Sequence, residues 1–291
     1  LIDGVVLTQK IGNNRTVVVD AAGNGQFESV QAAIDQVPEG NSEWFVIHLR
    51  KGVYREKVRI PRNKPYIFLR GIGKGRTSVV SSDHSSTFTV EAPRFIAFGI
   101  SFKNEASSVA ATVAGDMAAF YHCGFYSNGN TLHDLAGRHY YDRCYVQGSV
   151  DFIFGPGLAM FHDSEVFAIN GGGSIAANSR GWSHDETAGG GGFVFLDSRI
   201  YGVGGAYLGR DGGTHSRVVY ANSYMSKAVV PQGWAQQNNA TENLYHAEYK
   251  CRGPGSVTRN RAHWSKRLTD EEASPFLSVD FVLGKAWLPA W

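Results

Sequence analysis

Residues 118–164 decide the fold, because one pattern occurs there three times: FYHC at 120–123, YDRC at 141–144 and FHDS at 161–164. In each copy an aromatic residue is followed three positions later by Cys or Ser. Outside this stretch the pattern recurs at Phe98…Ser101, Phe195…Ser198 and Tyr220…Ser223. Successive aromatic residues are 22, 21, 20, 34 and 25 positions apart. A period of about 20–25 residues with strand-like composition predicts an all-β solenoid, in which each repeat is one coil stacked on the last.

Stacking of the coils predicts which residues are neighbours. Strands in successive coils lie about 4.8 Å apart, so residues one period apart lie almost directly above one another. Cys123 and Cys144 share a repeat position, 21 residues apart. They are close enough for a disulfide or, alternatively, are two stacked core thiols. Cys251 is predicted to be a buried apolar residue, and the 34-residue step carries an extra loop at 171–192.

The two ends differ from the repeating middle. The segment SVQAAIDQV at 29–37 has helical periodicity and starts with Ser, which predicts a helix capping the open end of the solenoid. Residues 45–49, 66–69 and 88–90 are predicted strands of the first coils. Beyond about Tyr224 the pattern dissolves into loops and a short helix at 269–276, and this tail is expected to pack along the outside of the coils. No linker divides residues 1–291, which we interpret as a single domain.

Composition excludes several classes of function. A net charge of +2 and a pI near 8.4 give no dense basic face for nucleic acid. No run of 18 apolar residues predicts a membrane span. The three cysteines lack metal-ligand spacing. Two Asn-x-Thr triplets, at Asn14 and Asn239, are candidate glycosylation sites.

Four motifs carry a resemblance to a known family: GQFESVQAAI at 25–34, GVYREKV at 52–58, GSVDFIFG at 148–155 and YLGR at 207–210. Their order and spacing resemble those of the plant pectin methylesterases, and the resemblance covers residues 16 to 288. The VDFIFG stretch is the most specific of them. The resemblance implies a right-handed parallel β-helix, which agrees with the predicted solenoid.

The resemblance also implies a chemistry for pectin. In that family one Asp attacks the methyl ester of galacturonate and a second Asp protonates the departing methanol. Glutamine amides hold the oxyanion, an Arg pairs with the nucleophile, and aromatic rings hold the sugar. A positioned acid is worth about 10²–10⁴ in rate, and an oxyanion donor about 10²–10³. No metal or organic cofactor is implied.

Three positions of this chain match the family pattern, and four depart from it. Asp151 matches the nucleophile, Arg210 its partner and Phe154 an aromatic beside the sugar. Where the family reads QDTL, this chain reads GNTL at 129–132. The position of the acid is therefore Asn130 and that of one oxyanion glutamine is Gly129. Ser107 aligns with the upstream glutamine, and Gly212 replaces an aromatic residue.

The coil period supports this alignment. Asn130 and Asp151 are 21 residues apart, one coil, and are expected to face each other on one wall. Ser107 is a further coil down, and all three are expected to line one groove. His122, His133 and His139 are candidates for a substitute proton donor on sequence proximity alone, with packing or surface roles as the alternative.

Four functions remain open from the sequence. The first is a secreted cell-wall pectinesterase whose standard activity is impaired at Asn130, Gly129 and Ser107. The second is a pseudoenzyme, a pectin-binding β-helix without turnover. The third is another β-helix enzyme, such as a pectate lyase or polygalacturonase, although no carboxylate cluster surrounds Asp151. In the fourth, Asp151 and Arg210 are a structural pair in an unrelated scaffold. The expected partners are homogalacturonan and a pectin methylesterase inhibitor protein, and the expected state is a monomer.

Overall fold

A computed structural model describes residues 2–180, 190–236 and 240–291. In this part of the chain the strands form three sheets in which every neighbouring pair is parallel. Each coil contributes one strand to each sheet, which is the arrangement of a parallel β-helix. The predicted fold is therefore confirmed.

The first sheet carries the repeated aromatic residues. Its strands are β1 (Asn14–Val19), β2 (Trp44–Leu49), β5 (Ile67–Arg70), β8 (Phe95–Phe98), β11 (Ala118–Tyr121), β14 (Arg138–Asp142), β17 (Leu158–His162), β20 (Gly192–Leu196), β23 (Ser216–Ala221), β26 (Leu244–Tyr249) and β27 (Lys266–Arg267).

The second sheet, here called the groove sheet, carries the candidate site on its outer face. Its strands are β4 (Val58–Ile60), β7 (Phe88–Val90), β10 (Ala111–Val113), β13 (Leu132–Asp134), β16 (Ile153–Gly155), β19 (Ser174–Asn178), β22 (Tyr207–Asp211) and β25 (Trp234–Ala235).

The third sheet closes each coil. Its strands are β3 (Gly52–Arg55), β6 (Thr77–Ser81), β9 (Ser101–Asn104), β12 (Gly124–Tyr126), β15 (Tyr145–Gly148), β18 (Glu165–Ala168), β21 (Arg199–Gly202) and β24 (Tyr224–Met225). The helices are α1 (Gly4–Ile11), α2 (Val30–Asp35) and α3 (Asp270–Ala273), with 3₁₀ turns at Pro254–Ser256, Ser274–Phe276, Val279–Val282 and Gly284–Ala286.

The aromatic repeat forms a continuous stack inside the solenoid. In register order its members are Phe120, Tyr141, Phe161, Phe195 and Tyr220. Neighbouring ring centroids are 4.5–5.2 Å apart and the rings lie within 12° of parallel. Offset stacking of this kind adds about 0.5–1.5 kcal/mol per pair beyond the burial itself. These five rings fix the register of the coils on which the site is built.

The Cys and Ser positions of the repeat form a second stack at the adjoining turn. The Ser164 hydroxyl accepts from the Cys144 N–H at 3.1 Å, and the Ser198 hydroxyl accepts from the Ser164 N–H at 3.1 Å. Cys123 and Cys144 are free buried thiols, so the structure has the stacked-thiol alternative and not the disulfide. Their sulfurs turn to backbone carbonyls, that of Cys144 to Phe120 at 3.4 Å.

The first copy of the predicted repeat is wrong by one residue. Phe120 pairs with Ala97, whereas Phe98 pairs with Tyr121 and faces outward, beside His122. Ser101 is correspondingly paired with Gly124 and not with Cys123. The coil that ends at Phe120 is one residue longer than the interval from Phe98 to Phe120 indicates. Its interior position is filled by Ala97 and not by an aromatic residue.

The predicted end of the solenoid is also wrong. Past Tyr224 the chain adds β26, which pairs with β23 along six residues, so the coils continue to Tyr249. The predicted loop at 171–192 contains β19, and its residues 181–189 lie outside the described part of the chain. Cys251 is partly buried against the core and is not fully enclosed.

The segments at the two ends of the chain pack on different parts of the solenoid. The predicted capping helix is confirmed as α2, whose Ser29 hydroxyl accepts from the Ala32 N–H, and Val30 and Ile34 pack onto the interior core. The predicted helix at 269–276 is present as α3 and the following 3₁₀ turn. Phe276, Val279 and Val282 pack on the outer face of the first sheet, as predicted for the tail. Within the described residues, no helix has the length and apolar character to cross a bilayer.

Candidate active site

A cavity of about 200 Å³ opens on the outer face of the groove sheet. It spans β13, β16, β19 and β22, which are four successive coils. Its lining residues are Asn130, His133, Asp151, Phe154, Gly155, Pro156, Ala177, Ser179, Arg210 and Gly212. The cavity therefore gathers Asp151, Arg210, Asn130, Phe154 and Gly212, as the sequence predicts, and does not gather Ser107 or Gly129.

Asp151 lies in the turn between β15 and β16. Its φ of 46° is in the left-handed region, which costs a non-glycine residue about 1–2 kcal/mol. Its N–H donates to the Ser174 carbonyl at 2.7 Å, which holds the turn against the next coil. The side chain is 14% exposed, so the carboxylate faces the cavity from a mostly enclosed position.

Arg210 reaches Asp151 from two coils away. Phe154, Ala177 and Arg210 are register partners on β16, β19 and β22. The small side chain of Ala177 leaves room for the guanidinium above it. Nε donates to Asp151 Oδ1 at 2.8 Å and Nη2 donates to Oδ2 at 2.7 Å. Hydrogen bonding to Asp151 raises the pKa of Arg210 above its ordinary value. This bidentate pair fixes the orientation of the Asp151 carboxylate.

Asn130 faces Asp151 across one coil spacing. Its amide nitrogen donates to the Val150 carbonyl at 3.1 Å and to the Asp151 carbonyl at 3.4 Å. The predicted juxtaposition of these two residues is thus present. An amide holds this position by donating hydrogen bonds, but it has no proton to give to a leaving group at ordinary pH.

His133 and Phe154 form an aromatic platform at the edge of the cavity. They are register partners on β13 and β16, with ring centroids 4.4 Å apart and planes within 8° of parallel. His133 was only one of three histidine candidates from the sequence. Adding the 21-residue period to position 133 gives 154, and this signal could have singled it out.

The other two histidines lie away from the cavity. His122 lies beside Phe98 on the first sheet. His139 is fully buried, and its two ring nitrogens face the Asp134 carboxylate at 2.8 Å and the Gly115 carbonyl at 2.9 Å. Burial opposes the charged ring, but the Asp134 carboxylate outweighs it and raises the pKa of His139. His139 therefore holds a structural position in the core and does not reach the cavity.

Ser107 and Gly129, the two positions that the sequence predicts for oxyanion contacts, lie against each other and do not line the cavity. A Cβ on Gly129 would lie 2.4 Å from the Ser107 carbonyl oxygen, closer than Cβ contacts allow. Ser107 is exposed and has a φ of 58°. Ser107 lies against Gly129, one coil below it, and is not among the residues that line the cavity of Asp151. That Ser107 lines a longer groove along the coils stays a prediction. Gly212 is similarly enclosed, with its Cβ position 2.7 Å from the Asn178 carbonyl.

Gly129→Ala is expected to lower the free energy of unfolding by about 1–3 kcal/mol, as overpacking against backbone does. Gly75→Ala is the matched control, since a Cβ there meets nothing within 4 Å and neither glycine has a positive φ. Urea denaturation of both variants measures the difference. Equal stability of the two would show that the Ser107 turn moves aside without cost.

The remaining predicted sites lie elsewhere. Asn14 is exposed at the start of β1, and its amide donates to the Gly12 carbonyl at 2.9 Å. Asn239 lies outside the described residues. Among the residues that the structure describes, no three His, Cys, Asp or Glu side chains are grouped to bind a metal ion.

Comparison with known proteins shows the same family throughout. Residues 16–285 match the sequence profile described as Pectinesterase. Probable pectinesterase 67 of Arabidopsis thaliana is 49% identical over 312 aligned positions, which cover 99% of this chain and 90% of that protein. Putative pectinesterase 11 of the same plant is 40% identical, over 93% and 80% of the two chains. The solved structure of pectin methylesterase from carrot superposes with a TM-score of 0.89 at 30% identity, covering 94% of each chain.

Proposed function

The chain belongs to the pectinesterase family, and on that premise we propose that it acts on methyl esters of homogalacturonan, with Asp151 as nucleophile and Arg210 as its partner. The observation that carries the proposal is the bidentate Asp151–Arg210 pair at the bottom of an open cavity. A carboxylate held at a fixed angle beside a sugar-sized platform is what attack on an ester carbonyl requires. The wall of a plant cell is where such a polymer is found, so the proposal includes secretion to it.

The platform supports a carbohydrate ligand. The stacked rings of His133 and Phe154 both line the cavity, together with Asp151. Flat aromatic faces pack against the apolar face of a sugar ring, while polar groups around them hold its hydroxyls. Ser179 and the Asn130 amide are the neutral polar side chains on the cavity wall.

We further propose that standard activity is impaired. The position of the acid holds the Asn130 amide, and Gly129 presents no side-chain amide to an oxyanion. Losing both groups without replacement is expected to cost about 10⁴–10⁶ in rate, allowing for their non-additivity. The alternative function, a pectin-binding protein without turnover, is favoured by the same two residues.

Wild-type protein is expected to release methanol from methylated pectin at least about 10²-fold more slowly than the carrot enzyme, because one donor is missing even if the other is replaced. Methanol release measures the rate, and calorimetry with methylated oligogalacturonides measures binding, for wild type and for Asp151→Ala. Turnover at the carrot rate would contradict the impairment. Binding without any turnover would identify the pectin-binding alternative, and absence of both would contradict the proposed function.

A further inference from the structure

We propose that His133 transfers the proton in ester hydrolysis at this site, in the role for which Asn130 has no acidic group. The inference rests on the proposed function, because it concerns the same cavity and the same ester. It makes His133 a catalytic residue, in addition to a member of the aromatic platform.

The cavity itself selects His133. Among its described lining residues, the titratable side chains are Asp151, Arg210 and His133. Asp151 and Arg210 are bonded to each other through both carboxylate oxygens. A guanidinium does not release its proton in proteins, and the carboxylate is the nucleophile. His133 is therefore the group on this wall that can both give and take a proton.

The imidazole is oriented but not engaged. Its plane is held parallel to the Phe154 ring at 4.4 Å, and the neighbouring register partner on β10 is Thr112. Within the described residues, the ring nitrogens of His133 form no hydrogen bond, and both nitrogens are accessible to solvent. His139, by contrast, has both nitrogens bound inside the core. A stacked ring with accessible nitrogens suits proton transfer at a fixed place.

The charges around His133 come from two sides. Burial lowers its pKa, and the negative Asp134, next along β13, opposes that effect. Asp134 is fully buried behind the strand, where it is paired with His139. On the cavity side lie Asp151 and Arg210, which neutralise each other. An imidazole can both give and take a proton near neutral pH, which is what transfer in both directions requires.

In the proposed hydrolysis, His133 gives a proton to the leaving methoxy oxygen and takes one back from water. Asp151 Oδ attacks the ester carbonyl carbon, and the tetrahedral oxyanion collapses with cleavage of the bond to the methoxy oxygen. That oxygen takes a proton from the His133 imidazolium and leaves as methanol, while Asp151 is held as an acyl anhydride. Water then attacks the acyl carbon and gives its proton to neutral His133. The galacturonate carboxyl group is released, and the Asp151 carboxylate and the imidazolium are regenerated.

His133→Phe tests the inference, because phenylalanine keeps the stack on Phe154 and removes the proton. We expect kcat for methanol release to fall about 10²-fold with KM nearly unchanged. With methanol departure rate-limiting, wild-type kcat falls as pH rises through the pKa of His133, and this decline should be absent from the variant. His263→Phe, at an exposed histidine outside the cavity, is the matched control and should retain the wild-type profile.

Addition of Asn130→Asp to His133→Phe should recover the lost rate, since it supplies a different acid to the same leaving group. A His133→Phe variant that retains wild-type kcat and pH profile would overturn the inference while leaving the proposed function intact. Wild-type protein that binds methylated oligogalacturonides but never releases methanol would overturn it as well. Absence of both binding and turnover would instead mark failure of the proposed function.

Discussion

Asp151→Asn is expected to reduce methanol release by about 10⁴-fold or more, the usual size of the loss when a nucleophile is removed. Asparagine keeps the shape of the side chain, so the cavity and the Phe154 platform stay in place. The amide, however, is a poor nucleophile and presents an NH₂ group to the Arg210 guanidinium where a carboxylate oxygen now accepts. Oligogalacturonide binding should change only a few-fold.

Methanol release is measured with Asp151→Asn in the wild-type chain and in an Asn130→Asp background. The faster starting rate of that background allows a larger fold-reduction to be measured. Asp116→Asn is the matched control. Asp116 accepts from Arg138 Nε at 3.0 Å and from Nη2 at 2.7 Å, a bidentate pair of the same kind outside the cavity. Asp116→Asn should retain wild-type activity. Asp116→Asn and Asp151→Asn should each lose at most about 1–3 kcal/mol of unfolding free energy, because both ion pairs are partly solvated.

Two results would contradict the assigned role of Asp151. Retention of more than a tenth of the wild-type rate by Asp151→Asn would show that another group attacks the ester. An equal loss of activity in Asp116→Asn would show that breaking an Arg–Asp pair is harmful anywhere in the solenoid, so that the effect is structural.

Asn130→Asp is expected to raise kcat by up to about 10²-fold, the low end of what a positioned general acid contributes, because His133 supplies part of that effect in the wild type. The Asn130 amide now donates to two backbone carbonyls. A carboxyl group in its place would face the same two oxygens, which repel a carboxylate and accept from a protonated acid. The pKa of the introduced group should therefore lie above the ordinary value for Asp, as a proton donor requires.

Methanol release against pH is the readout, with Asn128→Asp as the matched control. Asn128 is exposed two residues away, so its substitution adds the same charge without a carboxyl group in the cavity. The gain should stay below the full rate of an ordinary family member, because position 129 still offers no oxyanion donor. No gain at all would mean that the cavity differs from its relatives by more than the missing acid.

The sequence could predict those parts of the structure that the coil period controls. The register of Phe120 with Tyr141, and of Asn130 with Asp151, follows from spacing alone, because stacked coils convert a sequence interval into a contact. The spacing is less informative where a coil changes length. Phe98 was assigned to the interior since the aromatic side chain, and not the small Ala97, carried the signal.

The backbone conformation of the turns could not be predicted from the sequence, for a different reason. Ser107 has a left-handed conformation that a serine rarely adopts. The Asn104 side chain holds this turn, since its oxygen accepts from the Ala106 and Ser108 N–H groups, but the sequence does not show which residue takes the left-handed conformation. Coil spacing places Ser107 one coil below residue 129, but it does not indicate that the Ser107 carbonyl lies against Gly129. Helix α1 was also missed, since its eight residues carry only a weak apolar stripe and depend on contacts with Arg70 and Phe98, which are distant in sequence.

The contact between the Ser107 carbonyl and Gly129 makes the present state of the chain hard to reverse by mutation. A chain that acquired glutamine at 129 alone would be less stable, because any Cβ there meets the Ser107 carbonyl. Selection for faster turnover would therefore have to find a second change in the 105–108 turn, and neither change is favourable without the other. Such coupling between two positions, built into the stacking of one coil on the next, leaves substitution at Asn130 as the accessible single step toward faster turnover.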